Sequence, residues 1–166
     1  MVEQAKRSSR ARPAHEAGQT LVIFAALIPV IVLFFLLALG LAALLDVRAH
    51  GVYALGVATR AAARQVDYGE YGDGTVHFND QVEVTAQTVF SAALALRPAG
   101  LADTPGNIAG AIEVQIGYGA RDSPWASPFV DGRQHYHPTV AVRAWLPIRV
   151  WMFDLRIPIV SETEVK

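Results

Sequence analysis

Histidine and carboxylate side chains near residue 135 come closest, among the residues of this sequence, to the spacing of a reactive site. His135 and His137 would share one face of a strand, with Asp131 nearby. Imidazole and carboxylate groups are common metal ligands. However, the histidines stand in a Pro-rich segment that offers no clear third ligand. We therefore expect surface or loop histidines here and no metal site.

Motifs of other catalytic chemistry are absent from the sequence. The chain has no Cys, which excludes thiolate nucleophiles, disulfides and zinc–thiolate sites. It has no Gly-x-Ser-x-Gly, Gly-Lys-Ser/Thr or His-Glu-x-x-His pattern, and Glu113 and Asp154 lack a paired-carboxylate spacing. We expect a protein that is not an enzyme and needs no cofactor or small-molecule substrate. A membrane-tethered hydrolase would need a catalytic constellation around His77, His135 or His137.

Charged residues are few and unevenly distributed. They make up 17% of the chain, against roughly 25% in typical soluble domains. Residues 1–20 carry four basic and two acidic residues, whereas residues 46–166 carry ten basic and thirteen acidic residues. No clustered basic face follows the first twelve residues, so we expect no nucleic-acid partner.

One apolar segment explains the low share of charge. Residues 21–45 contain no charged side chain, and as a helix they would extend roughly 37 Å, enough for a hydrocarbon core of about 30 Å. The segment is longer than the apolar part of a secretory signal and has no polar face to show water. We predict a transmembrane helix that contacts the lipid bilayer.

Within this helix, Pro29 predicts either a plain kink or a locally flexible segment, because proline is tolerated in membrane helices. Small residues near the end of the span would let a neighbouring helix approach closely. The residues proposed for this packing are Pro29, Ala38, Gly40, Ala42 and Ala43.

The flanking charges predict an orientation. The basic residues Lys6, Arg7, Arg10 and Arg12 precede the span. After the span, Arg48 is balanced by Asp46. The positive-inside rule therefore makes residues 1–20 a basic cytoplasmic leader and sends residues 46–166 across the membrane.

Residues 46–166 predict an α+β domain. The first helix is expected to continue beyond Asp46, with a face of small apolar residues at 3- and 4-residue steps. That face would pack either on the domain's own sheet or on a partner's helix. Its residues are Val47, Gly51, Ala54, Leu55, Ala58, Ala62 and Val66. The glycine-rich residues 68–74 then break the helix.

A second helix is predicted over residues 81–97, capped by Asn79 or Asp80 and stopped by Pro98 and Gly100. Its predicted inner stripe is Val82, Ala86, Val89, Phe90, Ala93, Leu94 and Leu96. Residues 98–110 are expected to form a loop.

A small antiparallel sheet is predicted for the rest. Residues 112–118, 140–146 and 155–160 alternate apolar and other side chains, with Ile112, Val114, Ile116 and Tyr118 facing inward on the first strand. Residues 119–138 would form a long loop. Pro158 fits only an edge strand, since it cannot donate a ladder hydrogen bond.

A late apolar cluster is formed in the sequence by Trp145, Trp151, Met152 and Phe153. Core packing is one interpretation. If the cluster is exposed, it predicts a contact with a partner subunit or with the membrane surface, where Arg149 could reach lipid headgroups.

The start of the span resembles the N-terminal signature of the TadE/TadG-like proteins of tight-adherence (Flp-type) pilus assembly. Residues 18–29 are Gly-Gln-Thr-Leu-Val-Ile-Phe-Ala-Ala-Leu-Ile-Pro, and the family pattern is similar to Gly followed by Gln-Ala-Leu-Val-Glu-Phe-Ala-Leu-Val-Leu-Pro. Gly40-Leu41-Ala42 and Asp46 also resemble the end of a TadG-like anchor. The matching residues at the start are Gly18, Gln19, Leu21, Val22, Phe24, Ala25, Leu27 and Pro29.

The resemblance implies a minor pilin or pseudopilin with a pilin-like outer domain. Such a protein would sit in the bacterial cytoplasmic membrane and pack against other pilus-assembly subunits or pilins, and it would either enter the filament or remain in the membrane. It also implies a processing site between Gly18 and Gln19, although Ile23 replaces the Glu that usually stands fifth after the Gly. The alternative function is a single-pass, membrane-tethered binding or sensory module, which would need a ligand pocket within residues 68–166.

Overall fold

The computed structural model describes residues 14–67 and 76–165, with side chains from Leu21 onward. The basic residues of the predicted leader and the predicted glycine-rich break at 68–74 lie outside the described residues. The helices are α1 (Ala14–Ala62), α2 (Val82–Ala95) and α3 (Pro105–Gly110). The strands are β1 (Val66–Asp67), β2 (His77–Phe78), β3 (Glu113–Tyr118), β4 (Trp125–Ala126), β5 (Gln134–His135), β6 (Pro138–Val150) and β7 (Phe153–Glu164). The chain divides into two units at Leu39–Gly40.

The first unit contains the apolar part of α1. Every side chain from Leu21 to Leu39 is exposed, and Pro29 lies inside the helix without ending it. Among the described residues, one helix, α1, is long and apolar enough to cross a membrane, and its candidate span starts at Leu21. Its exposed apolar surface is consistent with a single-pass membrane anchor.

The second unit begins at Gly40 and is built on a three-stranded antiparallel sheet in the order β3–β6–β7. The long strands β6 and β7 pair from Thr139↔Glu164 to Val150↔Phe153. Pro158 lies on β7, an edge strand, as its missing N–H predicts. The α+β class with a small antiparallel sheet is therefore confirmed.

The core lies between one face of this sheet and the helices. Every second side chain of β6 faces the core, because successive strand residues point to opposite faces of the sheet. The end of α1, most of α2 and the short α3 cover them. The largest fully buried side chains are Leu55, Phe90, Leu94, Leu146 and Ile148.

The predicted apolar face of α1 packs on the chain's own sheet. Ala54, Leu55, Ala58 and Ala62 are buried in the core. A Cβ on Gly51 would overlap the side chain of Leu146, so this glycine allows helix and strand to approach closely. The interpretation of own-sheet packing is confirmed for these residues. The prediction is wrong only for Val66, which lies in β1 because the helix ends before it.

Helix α2 follows its prediction except at its termini. Val82, Ala86, Phe90 and Leu94 are buried, but Leu96 is 78% exposed because it lies past the last helical turn. The N-cap position is held by Gln81, without a side-chain capping bond. Asn79 instead accepts a hydrogen bond from the Gln81 backbone N–H at 2.9 Å.

Two sequence predictions near β3 are wrong. The expected loop at 98–110 contains α3, which Thr104 caps by accepting from the Asn107 N–H at 3.3 Å and which has Pro105 in its first turn. On β3, the inner-facing Ile116 and Tyr118 are 37% and 54% exposed. The Tyr118 ring lies 6.0 Å from the ring of Phe78 on the short strand β2, which covers it only in part.

The predicted loop at 119–138 folds back over the other face of the sheet. We call residues 119–137 the strap. It contains the β4–β5 hairpin, joined through Trp125↔His135, and Trp125 packs directly on Gly117, where a side chain would clash. The strap therefore buries Thr139 and Ala141, which the alternation of β6 places on the outer face.

Candidate functional site

The first concentration of polar side chains surrounds Glu162 beneath the strap. Ser127 Oγ donates a hydrogen bond to Glu162 Oε1, and Arg133 Nη1 donates to Oε2 at 3.0 Å. His135 places Nε2 2.9 Å from Glu162 Oε2 and Nδ1 3.0 Å from Glu164 Oε1. The side chains of Glu162 and His135 are almost completely buried. Contrary to the expected surface or loop histidine, His135 is thus a buried residue of the strap.

The electrostatics of this cluster favour a charged Glu162. Burial raises its pKa, but the hydrogen bonds from Ser127, Arg133 and His135 outweigh burial, and the pKa lies below its ordinary value of 4.5. The carboxylate therefore fixes three strap side chains onto β7.

The same cluster does not have the geometry of a nucleophilic site. In a Ser–His–acid site the hydroxyl bonds to the imidazole, whereas Ser127 Oγ bonds to Glu162 and accepts from the Phe129 and Val130 backbone N–H groups. Within residues 14–67 and 76–165, no group of three or more His, Cys, Asp or Glu side chains has metal-binding geometry. The contacts are those of a structural clasp.

Surface grooves are present on the helical side of the domain. One, of about 440 Å³, is lined by small and polar residues of α2 and α3 such as Gln87, Ser91 and Gly106. Another, of about 380 Å³, runs along Val47, His50 and Leu96. Both are open depressions, and the second is also lined by the charged side chains of Asp46 and Arg97. Neither forms an enclosed cavity of the kind that buries most of a small ligand.

The second candidate surface is the end of the β6–β7 hairpin. Trp151, Met152 and Phe153 are 55%, 91% and 64% exposed, so the core-packing interpretation of these residues is wrong. We call these three residues the hairpin tip. Trp151 has a positive φ of 56°, a conformation that costs a non-glycine residue free energy. A bulky, half-exposed side chain held in this conformation marks the tip as a functional candidate.

Trp145 does not belong to this tip. It lies on the outer face of β6, opposite Pro158, and is 46% exposed. Trp151 follows it by six positions along the hairpin, about 20 Å at 3.3 Å per residue of extended strand. The four apolar residues grouped in the sequence therefore form two separate surfaces.

The hairpin tip packs against Gly40 of α1. A Cβ on Gly40 would lie 3.4 Å from Val150 Cγ1 and 3.6 Å from Trp151 Cζ2. Gly40 is accordingly buried by its own chain. The sequence prediction that Gly40 packs against a partner helix is therefore wrong. Ala42 and Ala43 remain exposed on the same unit, and Ala38 and Pro29 are exposed on the first.

Ion pairs lie directly behind the tip. Arg149 Nε is 2.9 Å from Asp154 Oδ1 across the hairpin, and the guanidinium holds the pKa of Asp154 below its usual range. Arg97 and Asp46 approach to 3.9 Å. Charged side chains thus lie next to the apolar tip, on the side that faces the domain.

Other predicted site residues are only partly described. Gly18 and Gln19, the proposed processing site, lie in α1, whose description there is limited to the backbone. Sequence reasoning missed the clasp on Glu162 and the contact of Val150 with Gly40. Both contacts join residues that are far apart in the chain, so no local sequence pattern predicts them.

No protein-family model, curated protein or solved structure matches this chain.

Proposed function

We propose that this protein is a single-pass membrane subunit that works by packing against other subunits, with an extracytoplasmic domain carried on its anchor helix. The observation that carries the proposal is α1 itself. Its Leu21–Leu39 part exposes apolar side chains all round, and the same 49-residue helix supplies the core face of the following domain. Such a surface needs lipid or other apolar helices around it.

The resemblance of residues 18–29 to TadE/TadG-like proteins makes the proposal more specific. We propose a minor pilin or pseudopilin of a Tad (Flp-type) pilus or secretion machine in the bacterial cytoplasmic membrane. The N-terminus lies in the cytoplasm, following the basic leader. The exposed small residues Ala38, Ala42 and Ala43 then offer a packing surface to neighbouring membrane helices.

Complementation tests this function. A deletion strain should lose pilus assembly or secretion, and the wild-type chain should restore it. Ala42→Leu should restore it poorly, since a larger side chain keeps neighbouring helices apart. Leu41→Ile, a volume-conserving change at the adjacent exposed position, is the matched control and should restore it fully.

Two outcomes would contradict the proposal. A full-length chain that fractionates with soluble proteins rules out the anchored subunit. An anchored chain whose deletion leaves pili and secretion intact rules out the assembly role. It would favour a tethered binding module, for which the groove between α2 and α3 is the place to seek a ligand.

A further inference from the structure

We propose that the hairpin tip inserts into the headgroup–acyl boundary of the membrane leaflet from which α1 emerges. This inference rests on the membrane anchoring proposed above and adds a second lipid contact, made by the outer domain itself. The occupant is a phospholipid bilayer surface.

The depth of the tip follows from its contact with α1. Trp151 and Val150 pack on Gly40, which lies six residues before Asp46, the first charged residue after the apolar run. Six helical residues rise about 9 Å. The exposed Leu39 and Leu41 flank Gly40 in the sequence. A bilayer that solvates these leucines therefore also reaches the level of Trp151.

The charged residues behind the tip mark the membrane surface at a consistent height. The backbone N–H of Arg149 donates to the Gly100 carbonyl oxygen at 2.9 Å, and a Cβ on Gly100 would lie 2.7 Å from Val47 Cγ2. The Arg149–Asp154 pair is thus level with the helix just past Asp46. Along the axis of α1, the change from charged to apolar side chains therefore occurs at the same level on the helix and on the β6–β7 hairpin.

The side chains of the tip suit a lipid interface. Tryptophan is enriched at membrane boundaries, where its ring spans apolar and polar layers. Phe153 and the 91% exposed Met152 would otherwise present apolar surface to water. A shallow apolar tip that carries a tryptophan and has the Arg149–Asp154 ion pair behind it places apolar and polar groups in the order found at a membrane interface.

Site-directed spin labelling of the full-length chain tests the inference. The absence of Cys allows single-cysteine variants without further changes. Met152→Cys reports on the tip, Leu33→Cys on the anchor and Asp131→Cys, in the exposed part of the strap, is the matched control. Because Met152 is 91% exposed, its replacement leaves the fold intact, which far-ultraviolet circular dichroism verifies.

The labelled proteins are reconstituted into phospholipid vesicles, and collision rates with oxygen and with a water-soluble nickel chelate are compared. We expect nickel collisions at Met152 several-fold lower than at Asp131, with oxygen collisions higher. Nickel collisions at Met152 equal to those at Asp131, with Leu33 in lipid, overturn the tip inference alone. Low collision rates with both reagents assign the tip to a protein contact and overturn it as well. If Leu33 is also open to nickel, the anchoring itself fails.

Discussion

Glu162 shows how one residue organises the outer face of the domain. Its carboxylate is almost completely buried and takes hydrogen bonds from Ser127 and Arg133, with His135 Nε2 2.9 Å from the same carboxylate. Burial of an ion is costly unless hydrogen bonds compensate it. The strap stays on the sheet because these polar groups satisfy one another.

Glu162→Gln should loosen the strap. The neutral amide keeps the shape but removes the negative charge and offers one acceptor oxygen in place of two, so the donors around position 162 lose part of their hydrogen bonding. We expect a loss of about 1–3 kcal/mol in the free energy of unfolding, measured by chemical denaturation in detergent. Glu113→Gln, which alters a partly exposed pair with Arg143, is the control and should change stability little. Equal effects of the two variants would contradict a structural role for Glu162.

Acid should act through the same carboxylate. The pKa of Glu162 is lower in the folded protein than its ordinary 4.5, so the charged form favours folding. Its contribution is present above pH 4.5 and is lost as the pH falls through the folded pKa. Unfolding free energies measured from pH 6 downward should decline below about pH 4.5. In Glu162→Gln that decline should be shallower, and an unchanged slope would exclude Glu162 as its source.

At the scale of elements, the approach of α1 to β6 depends on small residues. Gly51 stands where a Cβ would overlap Leu146, which is fully buried and cannot move into solvent. By contrast, the nearest atom to a Cβ on Gly56 is Ser161 Oγ at 3.9 Å. The two glycines of one helix are thus in different packing environments.

Substitutions at these glycines should have opposite signs. Gly51→Val overpacks the helix–sheet contact and should destabilise the domain by about 1–3 kcal/mol. Gly56→Ala fits an open helical position and should stabilise it by about 0.4–1 kcal/mol, by restricting the unfolded chain. Thermal unfolding followed by circular dichroism measures both. Destabilisation by Gly56→Ala of the same size as by Gly51→Val would contradict the packing described here.

At the scale of the molecule, the anchor and the core are divided along the sequence. The buried core cluster begins at Ala54, and Val47 contacts it, whereas the side chains from Leu21 to Leu39 are exposed. The folded domain therefore owes its interior to residues beyond the predicted span, and the span contributes surface for lipid or partners.

Removal of residues 1–45 should release a folded domain. Because the core residues remain, we expect the truncated chain to leave the membrane fraction and to unfold in one cooperative transition. Cell fractionation and thermal circular dichroism check the two outcomes. A chain that stays unfolded would show that α1 before Asp46 is part of the folding unit. Loss of Gly40 uncovers Trp151, so the measurements require low protein concentration.

The sequence by itself determined the elements whose patterns are local. The spacing of apolar residues alone predicts which side chains of an element are buried. This holds for the small face of α1, the stripe of α2 and the alternation on β6, and the uncharged run at 21–45 likewise predicts an apolar environment. The edge position of β7 followed from Pro158, because the missing backbone N–H of a proline can be read from the sequence alone. The resemblance carried by residues 18–29 remains the basis of the proposed family.

Only the tertiary structure decided which elements meet. The strap lies on the sheet because His135 reaches Glu162, and Gly40 is covered because the hairpin tip returns to it. These pairs are separated by 27 residues and by more than 100 residues respectively. Short-range periodicity carries no information about such pairings, since they arise from the register of β6 with β7 and from the packing of helix on sheet.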